Sequence, residues 1–284
     1  MFKKLLKYDM IAVWRFWWIL ALGVLGLSTV GAFVLRFVIS YIGNPNYSFF
    51  TMIGTMFLFV AALAVFSSYF ATYIFVYLRF YKNFFTDEGY LTFTLPVSRR
   101  MLFLSKTLNA LIWQVAHILL LAVAALIVAT FAPPPTNGEW INPVVFREIG
   151  RLFCDFWSVA GAWTIVYLLE ALLLGILGEL FSISLIHLCI TIGAIIAKKA
   201  KLLAAIGIYY AINMAFSFVT QIFGTVGLLI MVEGMIYRMA GLPESAVLFA
   251  FFLMLLILCA MMGVLASLLY SLTNDRIERR LNLA

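Results

Sequence analysis

Six stretches of this chain are each long and apolar enough to cross a lipid bilayer, and that pattern leaves few folds open. A helix rises about 1.5 Å per residue, so roughly 30 Å of hydrocarbon needs about 20 apolar residues. The stretches run over 17–35, 49–78, 107–131, 157–197, 202–223 and 246–271. Composition agrees: 65% of the residues are hydrophobic and 11% are charged, whereas soluble domains run near half and a quarter. The sequence therefore predicts an all-α integral membrane protein with six transmembrane helices.

Charge orients the spans. With a cytosolic N-terminus, the inner side carries Lys3, Lys4, Lys7 and Arg15, then Arg79, Lys82, Arg99, Arg100 and Lys106. It also carries Lys198, Lys199 and Lys201, and finally Arg276, Arg279 and Arg280. Only Arg36, Arg147, Arg151 and Arg238 fall outside, while the acids outside the spans divide evenly. This is the positive-inside bias, and it predicts cytosolic N- and C-termini. Splitting the long fourth stretch into two crossings would put the Lys198 cluster and the C-terminus on opposite sides, so six spans are favoured. All seven prolines lie between the spans, where a missing N–H and a fixed φ interrupt no helix. Net charge is +7, but the cations are spread between apolar runs. They suit anionic inner-leaflet lipid, and nucleic acid is not predicted as a partner.

Amphipathic interfacial helices are predicted beside the spans. Over 1–16 the residues Phe2, Leu5, Leu6, Met10 and Val13 recur at three- and four-residue steps, with Lys4, Lys7 and Arg15 opposite. That pattern predicts a helix lying in the inner membrane plane. The charged start followed by apolar residues imitates a signal peptide, but the apolar run is too long, so a retained first span is expected. The external loop over 132–156 carries a second stripe: Val145, Ile149, Leu152, Phe153 and Phe156, flanked by Arg147, Glu148, Arg151 and Asp155.

The inner loop over 79–106 contains DEGYLTFTLPVSRRMLFLSK. The segment has an acidic pair, Asp87 and Glu88, then Gly89 and Tyr90. A Leu95-Pro96-Val97-Ser98 core follows, with basic Arg99 and Arg100 and a closing Lys106. In this order, between the second and third spans, it resembles the first cytosolic loop of type-2 ABC exporter permeases. The resemblance implies a plasma-membrane permease subunit that dimerises with a second permease protomer, identical or not. Each protomer would dock a cytosolic ABC ATPase subunit through a short coupling helix, and that partner would use ATP and Mg²⁺. The coupling residues would be Phe84, Phe85, Asp87, Glu88, Gly89, Tyr90, Leu95, Pro96, Ser98 and Arg99. In that setting the aromatic run of residues 80–85 is expected to be exposed as an interface anchor. An ordinary interfacial loop, with Arg99 and Arg100 on lipid phosphates, is the alternative.

No catalytic residue, metal site or bound cofactor is predicted. The chain lacks a phosphate-cradling G-x-x-x-x-G-K-[ST]. His117 and His187 lie on different spans, and Cys154, Cys189 and Cys259 have no metal or disulfide spacing. Polar residues within spans remain as candidates for a substrate path. These are Glu170 and Glu179 on the fourth span and Asn213 and Gln221 on the fifth. The two acids are half a turn out of phase, and Glu179 is expected nearer the hydrocarbon. His187 reads as a core histidine, Arg36 as a residue snorkelling outward. A re-entrant or external hairpin is expected over 224–245. An exporter permease for a hydrophobic, amphipathic or peptide-like substrate is the leading reading. An ion-coupled secondary transporter or a non-transporting scaffold subunit would fit the spans without an ATPase.

Overall fold

The computed structural model describes residues 2–94, 96–131, 144–197, 199–218, 221 and 244–280. The long helices are α1 (Phe2–Tyr41), α2 (Ser48–Phe85), α4 (Arg99–Phe131), α6 (Trp163–Ile196) and α8 (Glu244–Arg280). Lys201–Phe218 forms α7, and the shorter α3 (Asp87–Phe93) and α5 (Val144–Ala160) complete the set. Among the described residues there is no strand, and six helices have the length and apolarity to cross a membrane. The all-α, six-span fold read from the sequence is therefore the fold observed.

Helices extend beyond the apolar stretches. The separate interfacial helix expected over 1–16 is instead the first part of α1, one unbroken helix of 40 residues. At 1.5 Å per residue it is about 60 Å long, twice the hydrocarbon thickness. Nothing before Gly23 interrupts it: the first 22 residues contain neither glycine nor proline. The fourth span is a single helix, as charge predicted, but it begins at Trp163 rather than at 157. Residues 157–160 belong to α5, and Gly161, at φ +56°, separates the two helices. A left-handed backbone there suits glycine and breaks the hydrogen-bond ladder. The fifth span is described to Phe218 rather than to 223. Of the hairpin expected over 224–245, residues 224–243 lie outside the described residues, and 244–245 open α8.

The chain forms two compact units. One comprises residues 1–79 and 108–158, the other residues 80–107 and 159–284. In the first, Ala21 and Val24 of α1 meet Leu120 and Ala124 of α4, with Trp17, Leu25, Val65 and Leu121 around them. Trp14 and Trp17 meet Trp113 in tilted contacts at 6.0 and 5.2 Å, and the Trp113 indole donates to Asn109 Oδ1 at 3.1 Å. α1 and α2 approach closely at Gly54, where a Cβ would lie 2.7 Å from Val38. Arg36, expected to snorkel, is 9% exposed. α1 continues five residues past it to Tyr41, so its side chain sits along the helix and not at its end.

In the second unit α6 packs along α8. α6 also approaches α7 through Gly193, which is buried. A Cβ at 193 would lie 2.6 Å from the Ala205 backbone nitrogen, whereas one at Gly207 would meet nothing within 4 Å. Backbone cannot rotate away as a side chain can, so the contact requires glycine. We predict that Gly193→Ala lowers stability by about 1–3 kcal/mol through overpacking. Gly207→Ala should be neutral or slightly stabilising, because alanine is the better helix former. Thermal unfolding of the purified protein in detergent distinguishes them; equal transitions would refute the close approach.

Candidate functional site

The predicted coupling loop folds as the short helix α3 between the end of α2 and the start of α4. α2 runs straight through the aromatic segment, and this overturns its expected exposure. Phe80, Phe84 and Phe85 are 1%, 0% and 8% exposed. Phe80 packs at a tilt against Phe84 at 4.9 Å and against the His187 ring at 4.0 Å. Phe103 meets His187 at 5.6 Å and Tyr270 at 4.7 Å, and Phe84 meets Phe93 of α3 edge-on at 5.5 Å. The helical period explains the difference: residues 80 and 84 share one face, which turns toward α4 and α6. Phe84 and Phe85 are therefore the base on which α3 sits, and His187 is buried among these rings.

α3 is held on that base by polar contacts. Gly89 is buried, and a Cβ there would lie 3.1 Å from the Phe84 carbonyl oxygen, so glycine lets α3 lie against the end of α2. With its amide turned to satisfy both neighbours, Asn83 donates to Glu88 Oε2 at 3.0 Å and accepts from Lys106 Nζ at 2.6 Å. Lys106 is 6% exposed. Arg99 lies over the Phe93 ring at 5.3 Å and donates to the carbonyls of Ile277 and Glu278 at 3.2 and 3.1 Å. These carbonyls belong to the last turn of α8, where intrahelical partners run out. Arg100 forms two hydrogen bonds to the Glu278 carboxylate, at 2.8 and 3.3 Å. Both Arg99 and Arg100 thus tie the start of α4 to the end of α8.

Other parts of the predicted set face outward. Asp87, Pro96 and Ser98 are exposed, and Leu91, next on the helix, is 74% exposed. Ser98 also caps α4, accepting from the Met101 N–H at 3.4 Å. The Tyr90 side chain and Leu95 lie outside the described residues.

The intramembrane candidates do not form one site. Glu170 and Glu179 lie on α6, but Glu170 is the buried one, at 6% exposed, while Glu179 is half-buried. Glu170 is the more enclosed of the two because it lies on the face that α8 covers. There the Cys259 thiol approaches the Glu170 backbone carbonyl at 3.7 Å. Asn213 donates to the Tyr209 carbonyl of its own helix at 2.9 Å, and Gln221 is exposed. Among the described residues no three His, Cys, Asp or Glu side chains cluster to hold a metal.

One buried polar cluster was not anticipated. His117, 0% exposed, sits 3.0 Å from Ser68 Oγ through Nε2 and 3.0 Å from Thr72 Oγ1 through Nδ1. Ser68 also reaches the Val65 carbonyl at 2.5 Å. A neutral imidazole is satisfied when Nε2–H donates to Ser68 and Thr72 donates to Nδ1. Its signal was present in the four-residue spacing of Ser68 and Thr72, which places both hydroxyls on one face of α2.

No known protein family, curated protein or solved structure matches the chain. What the fold defines is a class: a multi-pass α-helical membrane protein.

The packing yields a direct test. Removing the Phe84 ring leaves a large void, so Phe84→Ala should cost about 3–5 kcal/mol. Leu91→Ala, on the exposed side of α3, should change stability by less than about 0.5 kcal/mol. Thermal or denaturant unfolding of both variants would refute the anchored-base geometry if Leu91→Ala were the more damaging.

Proposed function

We propose that the chain is the permease subunit of an ATP-driven exporter in the plasma membrane. It works as a dimer with a second permease protomer and moves a hydrophobic, amphipathic or peptide-like substrate outward. The observation that carries this reading is α3. The motif resembling type-2 ABC exporter permeases folds as a short helix with a rigid aromatic footing. Its outward residues, Asp87 and Leu91, are exposed. A helix that transmits force between subunits needs both properties, a base that does not yield and a free docking surface. Arg99 and Arg100 support the same role, since they connect the loop to α8. The positive-inside bias supports a cytosolic α3, where an ABC ATPase subunit would bind ATP and Mg²⁺ and dock. The roles first assigned by resemblance are thereby redistributed. Phe84, Phe85 and Gly89 support α3, Arg99 connects it to α8, and Asp87 and Leu91 meet the partner.

The test uses the permease co-expressed with the ABC ATPase subunits of the same organism. Asp87→Arg combined with Leu91→Glu should weaken copurification of the ATPase at least about tenfold, as loss of a central anchor does. The permease itself should stay folded, because both side chains are exposed. Unchanged copurification and unchanged transport in the double variant would defeat the docking assignment. A cysteine placed at position 199 should resist a membrane-impermeant thiol reagent in intact cells lacking the native cysteines; labelling there would overturn the orientation.

A further inference from the structure

The first half of α6 carries a carboxylate that the described residues do not explain. Glu170 is 6% exposed, and neither carboxylate oxygen has a hydrogen-bond partner among the described residues. The nearest hydroxyl on its own helix face is that of Tyr167, one turn away, which donates to the Leu248 carbonyl of α8 at 2.6 Å. A hydroxyl has one proton, so Tyr167 does not donate to Glu170. The described parts of α6, α7 and α8 hold no basic side chain between residues 202 and 218, between 163 and 186, or between 245 and 275. A carboxylate merely snorkelling to the headgroups would be exposed, and this one is enclosed by α6 and α8.

The same seam is lined with aromatic rings. Trp163, Tyr167 and Glu170 follow the i, i+4, i+7 pattern of one helix face. Trp163 lies 6.3 Å from Tyr167, 5.6 Å from Phe252 and 6.3 Å from Phe249. Phe249 remains 49% exposed, so this ring cluster is reachable from outside the seam. Glu170 is seven residues, about 10 Å, from the start of α6. A ring face attracts a cation through its quadrupole, most strongly where water is scarce. A buried carboxylate is costly unless paired, and a cation is the partner that relieves that cost.

We infer that Glu170, with Tyr167, Trp163 and the phenylalanines of α8, forms a binding site for a lipophilic organic cation. The positive centre sits between the carboxylate and the Tyr167 ring, and the apolar substituents lie along Trp163, Phe249 and Phe252. A small hydrated metal cation is disfavoured, because a single carboxylate without further oxygen ligands replaces little of its hydration shell. This site gives the transport reading a substrate class, while the binding step itself needs no ATPase.

The experiment is therefore made on the permease alone, reconstituted in nanodiscs, with tetraphenylphosphonium as the probe. Equilibrium dialysis should show saturable binding that Glu170→Gln weakens about tenfold or more, with Glu179→Gln unchanged. The neutral triphenylphosphine oxide should bind equally to wild type and to Glu170→Gln. Equal tetraphenylphosphonium binding by wild type and Glu170→Gln, or a larger loss in Glu179→Gln, overturns the site. A second measurement uses the unmutated chain, so that misfolding of a variant cannot decide the matter. Dicyclohexylcarbodiimide should modify Glu170, and tetraphenylphosphonium should protect it, as read by peptide mass spectrometry; modification without protection refutes the inference. Binding that holds while the ATPase fails to copurify would keep the cation site and reject the exporter reading. The reverse outcome would keep the exporter and reject the site.

Discussion

Hydrocarbon gives a polar group no partner, and most of this structure follows from that restriction. Every backbone N–H and C=O within a span has to be satisfied internally, so the apolar stretches become helices. The same restriction acts on side chains. Thr29, Ser67, Thr130 and Thr191 each return their hydroxyl proton to the carbonyl four residues earlier. His117 has two ring nitrogens and no such local solution, and it obtains both partners from α2. That cluster joins α2 to α4 where apolar packing alone would leave their rotation loosely defined.

Aromatic packing takes over where the spans end. The run of phenylalanines at the close of α2 resembles an exposed anchor when read as a string of letters, yet the helix continues and buries them. α3 is too short to be stable alone, since isolated helices need about 12–15 residues. Phe84 and Phe93 in edge-on contact, Gly89 against the α2 terminus and the Asn83–Glu88–Lys106 network supply what its length lacks. The Arg100–Glu278 pair is exposed and contributes little by itself, about 0–1 kcal/mol. Arg99 contributes more to the arrangement, because it satisfies carbonyls at the end of α8 while lying over the Phe93 ring.

Glu170 stands against this pattern. Lys106 and Arg99 of the same unit are engaged, Lys106 with Asn83 and Arg99 with the carbonyls at the end of α8. Glu170 has no hydrogen-bond partner among the described residues, although α8 covers it and Tyr167 is near. Such a residue is costly to keep within a membrane protein, and this cost is what connects the α6–α8 seam to a charged ligand.

The sequence by itself determined the class of this protein. Lengths of apolar stretches, set by the rise of a helix against the thickness of hydrocarbon, gave the spans, and the cations between them decided one crossing for the long fourth stretch. Cations between them predicted an orientation, and the ordered residues from Asp87 to Lys106 marked the loop that becomes α3. Periodicity within a span could not say which face meets a neighbour. Helices that are apolar all round, as α6 and α8 nearly are, carry too little amphipathic signal to orient a side chain. Hence the burial of Phe84, Phe85 and Arg36, the enclosure of Glu170 rather than Glu179, and the pairing of His117 with Ser68 and Thr72 were decided only by tertiary structure. The start of the fourth span at Trp163 had a local cause, the left-handed Gly161. A glycine's φ is set by the packing on either side of it, and composition does not reveal it.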